Sequence, residues 1–175
     1  MLRTTNEIDR EINQMKTLVT FYSRTGRTKE LAKEISKQLN AELDEIIDNK
    51  KRCGIFGWLG AGKDAMEKNL TEIKHDISPK NYGLVVIGTP VWASSITPAI
   101  RTYLKKHKFK KVAFFIVSGS GDTENAAYEM EKLSKKPIAV LNMFKEDFHN
   151  NHKKTINVWE IKKVKEFCDK IKNEK

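Results

Sequence analysis

At 175 residues, with 39% apolar and 32% charged residues, the chain is long enough to bury one substantial core without disulfides or metals, and its composition is that of a globular domain. No apolar run approaches the roughly eighteen residues of a membrane-spanning helix, and the polar start MLRTTNEIDREINQ lacks the apolar stretch of a secretory signal. The net charge of +10 gathers in Arg101–Lys111, Lys132–Lys136 and His149–Lys154. These runs read as solvated surface or as a docking face for an acidic partner; no helix-turn-helix, zinc or aromatic-interleaved basic module points to nucleic acid.

In chain order, residues 1–14 are polar and precede any periodic signal, so a frayed extension ahead of a single domain over 15–175 is expected. Lys16 to Tyr22 is short, β-branched and aromatic, and predicts a first strand. Leu31, Ala32, Ile35 and Leu39 then share one face of a helix over Arg27 to Leu39. Ala41 to Ile47 predicts a second strand near a sheet edge. Residues 48–81 are longer than an ordinary crossover and carry a helical signal of their own in Ala65, Met66, Leu70 and Ile73.

Tyr82 to Ile87 is almost purely apolar, as a central parallel strand buried on both faces requires. Thr97-Pro98 opens a helix, with threonine as cap and proline in the first turn. Val112 to Val117 repeats the fully buried pattern. A helix over Thr123 to Ser134 turns Ala126, Ala127, Met130 and Leu133 inward, Ile138 to Phe144 makes the fifth strand, and Val158 to Ile171 a last helix with Ile161, Val164, Cys168 and Ile171 on one face. Alternating strand and helix predicts an α/β fold with a parallel sheet.

In such sheets ligands sit beyond the carboxyl ends of the strands. After the first strand comes Ser23-Arg24-Thr25-Gly26-Arg27-Thr28, a hydroxyl-rich turn with a glycine at a helix N-terminus, which is a phosphate cradle. After the third comes Gly88-Thr89-Pro90-Val91-Trp92-Ala93-Ser94-Ser95, whose tryptophan exposes apolar area unless something flat lies against it. After the fourth comes Ser118-Gly119-Ser120-Gly121-Asp122-Thr123, where two close glycines let the backbone approach a planar ligand edge-on.

These three loops, in this order and spacing, resemble those of the flavodoxin family, over about Lys16 to Ile171. The resemblance implies a three-layer α/β/α sandwich, a five-stranded parallel sheet in the order 2-1-3-4-5, and FMN as cofactor. It implies that Ser23, Thr25 and Thr28 bond the phosphate with the backbone of Arg24, Gly26 and Arg27. Pro90, Val91, Trp92 and Ala93 would run along the flavin, and Ser118, Gly119, Ser120, Gly121 and Asp122 would hold its pyrimidine side. Two features depart from the family pattern. The loop after the fourth strand has no aromatic for a second stacking face, so residues 49–62, with Phe56 and Trp58, are the alternative cover; Tyr128 lies too far into its helix. The chain is also basic where well-known flavodoxins are acidic, which predicts a less negative two-electron midpoint and acidic, salt-sensitive partners.

Other motifs fall away. Gly57 to Asp64 (GWLGAGKD) nearly spells a nucleotide-triphosphate loop, but ends in Asp64 where a hydroxyl must hold Mg²⁺ and follows no apolar strand. The four histidines form no ligand spacing on a helix face, and no metal is expected. Cys53 and Cys168 have no metal or redox spacing, and Cys168 sits at a core position, so a reduced cytoplasmic setting is the default. No catalytic residue is identified. The functional expectation is an electron carrier between redox partner proteins, its oligomeric state left open. The rivals are a flavin-dependent NAD(P)H:quinone or FMN reductase and a flavin-regulated binding module.

Overall fold

A computed structural model describes residues 16–50, 54–119, 122–144 and 158–174, with residues 54–59 and 158–160 described in backbone only. The expected N-terminal extension lies outside the described residues. Among the described residues, five parallel strands form the main path of the sheet: β1 (Thr17–Phe21), β2 (Glu42–Glu45), β5 (Leu84–Trp92), β7 (Lys111–Ser118) and β8 (Val140–Phe144), in the order β2-β1-β5-β7-β8. This is the expected 2-1-3-4-5 arrangement. Two-residue strands β3 (Ile47–Asp48) and β4 (Ile73–Lys74) pair with each other, and β6 (Ser95–Ile96) folds back on β5.

The apolar runs make both sheet faces core. On one face Val19, Phe21, Val86 and Phe115 pack with α1 (Arg27–Leu39) and α5 (Val158–Asn173). On the other, Leu18, Val85, Ile87 and Phe114 pack with α3 (Pro98–Lys106) and α4 (Glu124–Leu133). Successive strand residues point to opposite faces, so both residues of each such pair are buried. Thr97 caps α3 by accepting from the Ile100 N–H at 3.5 Å, with Pro98 in the first turn. The edge position expected for β2 also holds, since β2 pairs with β1 and ends the sheet path.

Some expectations are corrected. The strand expected to stop at Ile87 runs on to Trp92: past Gly88 it no longer pairs with β1, follows β7 as far as Pro90, then turns back. The helical signal in residues 48–81 belongs to α2 (Gly54–Met66), which ends before Leu70; Ile73 is in β4, and Met66 and Leu70 are exposed. Helical spacing continued by chance into a turn and a short strand. Ile161 is likewise exposed, and Val164, Phe167, Cys168 and Ile171 make the buried face of α5. The GWLGAGKD stretch lies within α2, not in a phosphate-binding loop. Among the described residues no helix is long and apolar enough to cross a membrane.

Candidate functional site

The first turn of the site is built by backbone. Gly26 takes the left-handed conformation at φ 94° and accepts at its carbonyl from Glu30 N–H at 3.0 Å, so that α1 begins directly after it. Ser23 Oγ accepts from the Gly26 N–H at 3.1 Å and closes the turn. Among the described residues no side chain caps α1. A helix N-terminus has orphan N–H donors and the positive end of the helix dipole, so an uncapped one is suited to an anion.

The second wall is a hairpin rather than the expected loop. Ala93 and Ser94 both have positive φ, 47° and 58°, and reverse the chain so that Val91 faces Ile96 and Trp92 faces Ser95. A two-residue turn of this hand suits the twist of the strands, although Asn-Gly is its usual sequence. Trp92 meets Tyr22 edge-on at 5.6 Å, and the Arg24 guanidinium stands over the indole at 5.3 Å. The third wall is the end of β7, where Ser118 is buried and Gly119 exposed.

These walls enclose a groove of about 200 Å³. Of the expected residues, Arg24, Thr25, Arg27 and Thr28 line it from the first turn, Pro90, Val91 and Trp92 from the hairpin, and Ser118 and Gly119 from β7. Ser23 and Gly26 shape the turn behind it. Ala93, at the hairpin tip, and Asp122 are exposed and do not line it. Ser120 and Gly121 lie outside the described residues, as do the side chains of Phe56 and Trp58. Val117 lines the groove as well; its place as the last residue of an apolar run hid it. Tyr128 stands elsewhere, on α4, in keeping with its distance along the helix.

Behind the hairpin lies an ion pair that the sequence concealed in a basic run. Arg101 is 1% exposed, which corrects its reading as solvated surface. Its Nη2 lies 2.7 Å from Glu129 Oε1 and donates to Ser95 Oγ at 2.9 Å. It also donates to the Ala65 and Ile96 carbonyls, and Nη1 to that of Asn69. Glu129 Oε2 in turn accepts from Ser95 Oγ at 2.7 Å. One guanidinium thereby ties the end of α2 and the hairpin to α3 and α4.

Two histidines also meet, although no helical spacing predicted it. His75 Nε2 and His107 Nε2 are 3.1 Å apart, and His75 Nδ1 lies 3.1 Å from the Ile77 carbonyl. Burial holds His107 below the usual histidine range, helped by His75, Lys106 and Lys80. Among the described residues no three His, Cys, Asp or Glu side chains cluster as a metal site. Cys168 is a free, buried thiol that burial pushes up to about 12, so it is core rather than nucleophile.

No curated protein sequence matches the chain. Among solved structures it is similar to a flavoprotein in complex with FMN from Lactobacillus acidophilus NCFM, at 27% identity and a TM-score of 0.63, over 73% of this chain and 92% of that one. It is similar in fold to a flavoprotein from Bacteroides eggerthii, at 21% identity and TM-score 0.66, over 88% and 96% of the two chains. It is likewise similar in fold to oxidised flavodoxin 2 from Bacillus cereus, at 16% and 0.57, over 91% and 99%. The flavodoxin family model matches residues 16–163, a span that contains all three walls of the groove, and the chain belongs to the flavodoxin family.

Proposed function

We propose that the chain binds FMN non-covalently in this groove and carries electrons between larger redox proteins in the cytoplasm. The observation that carries the flavin half is the meeting in one groove of an uncapped helix N-terminus, the Trp92 hairpin and the Ser118–Gly119 turn. Family membership and the likeness to the FMN-bearing Lactobacillus flavoprotein support it. The donor set fits the group: α1 offers N–H groups and its dipole to a phosphate, Thr25 and Thr28 add hydroxyls, and Arg24 and Arg27 add charge. Ser23 keeps the turn closed. Trp92 provides one flat apolar wall, and Arg24 above it brings a positive charge beside the ring site.

FMN, when bound, supplies one- and two-electron chemistry. The chain's residues anchor the phosphate, align the ring along Pro90, Val91 and Trp92, and meet its polar rim with backbone at Ser118 and Gly119. The +10 charge fits partners with acidic faces. A reduced setting suits the free thiol of Cys168.

The purified protein should show the absorbance bands of oxidised flavin and release FMN on unfolding. Added NADH or NADPH should bleach it only slowly. Rapid bleaching would replace the carrier with the reductase. A colourless protein that takes up no FMN would overturn both.

A further inference from the structure

Apart from the groove, the described residues form a second cavity of about 240 Å³ where α3 and α4 meet the turn that ends α2. Its lining includes the Arg101–Glu129 pair, already satisfied. Around that pair stand three lysines from three different segments: Lys68 after α2, Lys105 on α3 and Lys132 on α4. None of their ammonium groups has a carboxylate partner among the described residues. The carboxylate in the lining, Glu129, is engaged by Arg101 and Ser95. All three are exposed, and an anion in the hollow would lie in their combined positive field.

Two further features give the hollow a second chemistry. Tyr128 lines it with its ring 58% exposed, and Lys132 Nζ stands 4.5 Å from the ring centroid. A half-exposed aromatic beside cations that lack a carboxylate partner suits a flat ring that carries an anion. Lys68 has φ 55° at the end of α2, where glycine is the residue of least cost. The chain therefore holds a lysine in a conformation that disfavours it, at the lip of this cavity.

We propose that this cavity binds a phosphate monoester carried on a flat aromatic group, as a nucleoside monophosphate presents. The phosphate lies among Lys68, Lys105 and Lys132, and the ring rests against Tyr128. Asn125 Nδ2 donates to the Ser94 carbonyl at 2.6 Å, which leaves its own carbonyl oxygen as an acceptor for the ligand. The same contact joins this cavity to the hairpin that carries Trp92. The site is distinct from the groove and does not rest on the flavin reading.

AMP is the probe, titrated into the 175-residue chain with and without one equivalent of FMN and followed by calorimetry. AMP should bind in both conditions, with adenosine and inorganic phosphate each at least tenfold weaker. The double variant Lys105→Gln/Lys132→Gln should weaken AMP at least tenfold while the circular dichroism spectrum stays that of the parent. Tyr128→Ala should weaken AMP but not inorganic phosphate, and Lys108→Gln should match the parent. No AMP binding at millimolar concentration would overturn the proposal, as would equal affinity for AMP and inorganic phosphate, or loss of AMP binding when one equivalent of FMN fills the groove. An unchanged affinity in the folded double variant, or in the single variant Lys105→Gln, would overturn it too.

Discussion

Gly88 illustrates how one residue can be needed for a reason its neighbours in sequence do not reveal. It sits within β5 opposite Phe115, and a Cβ there would run into the Phe115 ring. Phe115 is fully buried among the residues that pack on α1 and α5, so the ring has nowhere to retreat. Gly88→Ala should therefore destabilise the fold by about 1–3 kcal/mol, the usual cost of overpacking a tight core. A urea titration checks this, and Gly88→Ala combined with Phe115→Leu should recover part of the loss. An unchanged unfolding midpoint in the single variant would contradict it. Read in sequence, Gly88 merely opens a loop, because nothing local shows which side chain arrives from β7.

At the scale of elements, the hairpin and the end of α2 depend on the buried Arg101. Removing its counter-charge leaves a guanidinium that is 1% exposed without a carboxylate. Glu129→Ala should cost about 3–5 kcal/mol, as breaking a buried ion pair from one side does, whereas Glu129→Gln, which keeps an acceptor for the guanidinium, should cost less. Thermal unfolding of Glu129→Ala beside Glu129→Gln tests the difference; equal losses in the two would refute it. This pair also gives the long segment after β2 a structural role. α2 packs against β5 and β6, and Arg101 holds the α2 end through the Ala65 and Asn69 carbonyls. Thr97-Pro98 predicted the start of α3, but Arg101, a charged residue in a lysine-rich run, gave no sign of burial in the sequence.

For the whole molecule, the histidine contact makes stability depend on pH in a definite sense. His107 is held below its ordinary value in the folded protein, first by burial and then by His75, Lys106 and Lys80. The groups around it also include Asp44, near His75 Nδ1, and Tyr103, whose ring packs on both imidazoles. Below about pH 6.5 the unfolded chain takes up a proton at His107 that the folded chain resists, so stability falls as pH falls. This loss begins above the range in which ordinary carboxylates titrate. The urea midpoint should drop between pH 7.5 and 5.5, and His107→Gln should reduce that drop. A midpoint flat across this range in the parent would contradict the account.

Much of this protein is decided by local pattern. Apolar runs buried on both faces, β-branched strands and amphipathic helices determined the order of elements and the parallel sheet, because each signal lies within a few residues. The turn that opens the groove was legible for the same reason: its serine, glycine and threonines are contiguous and lead directly into a helix. Tertiary structure alone decided what depends on side chains far apart in sequence. It turned the expected tryptophan loop into a hairpin, buried Arg101 against Glu129, and brought His75 to His107. Composition counted lysines but could not show where Lys68, Lys105 and Lys132 converge, since that convergence exists only once three segments pack together.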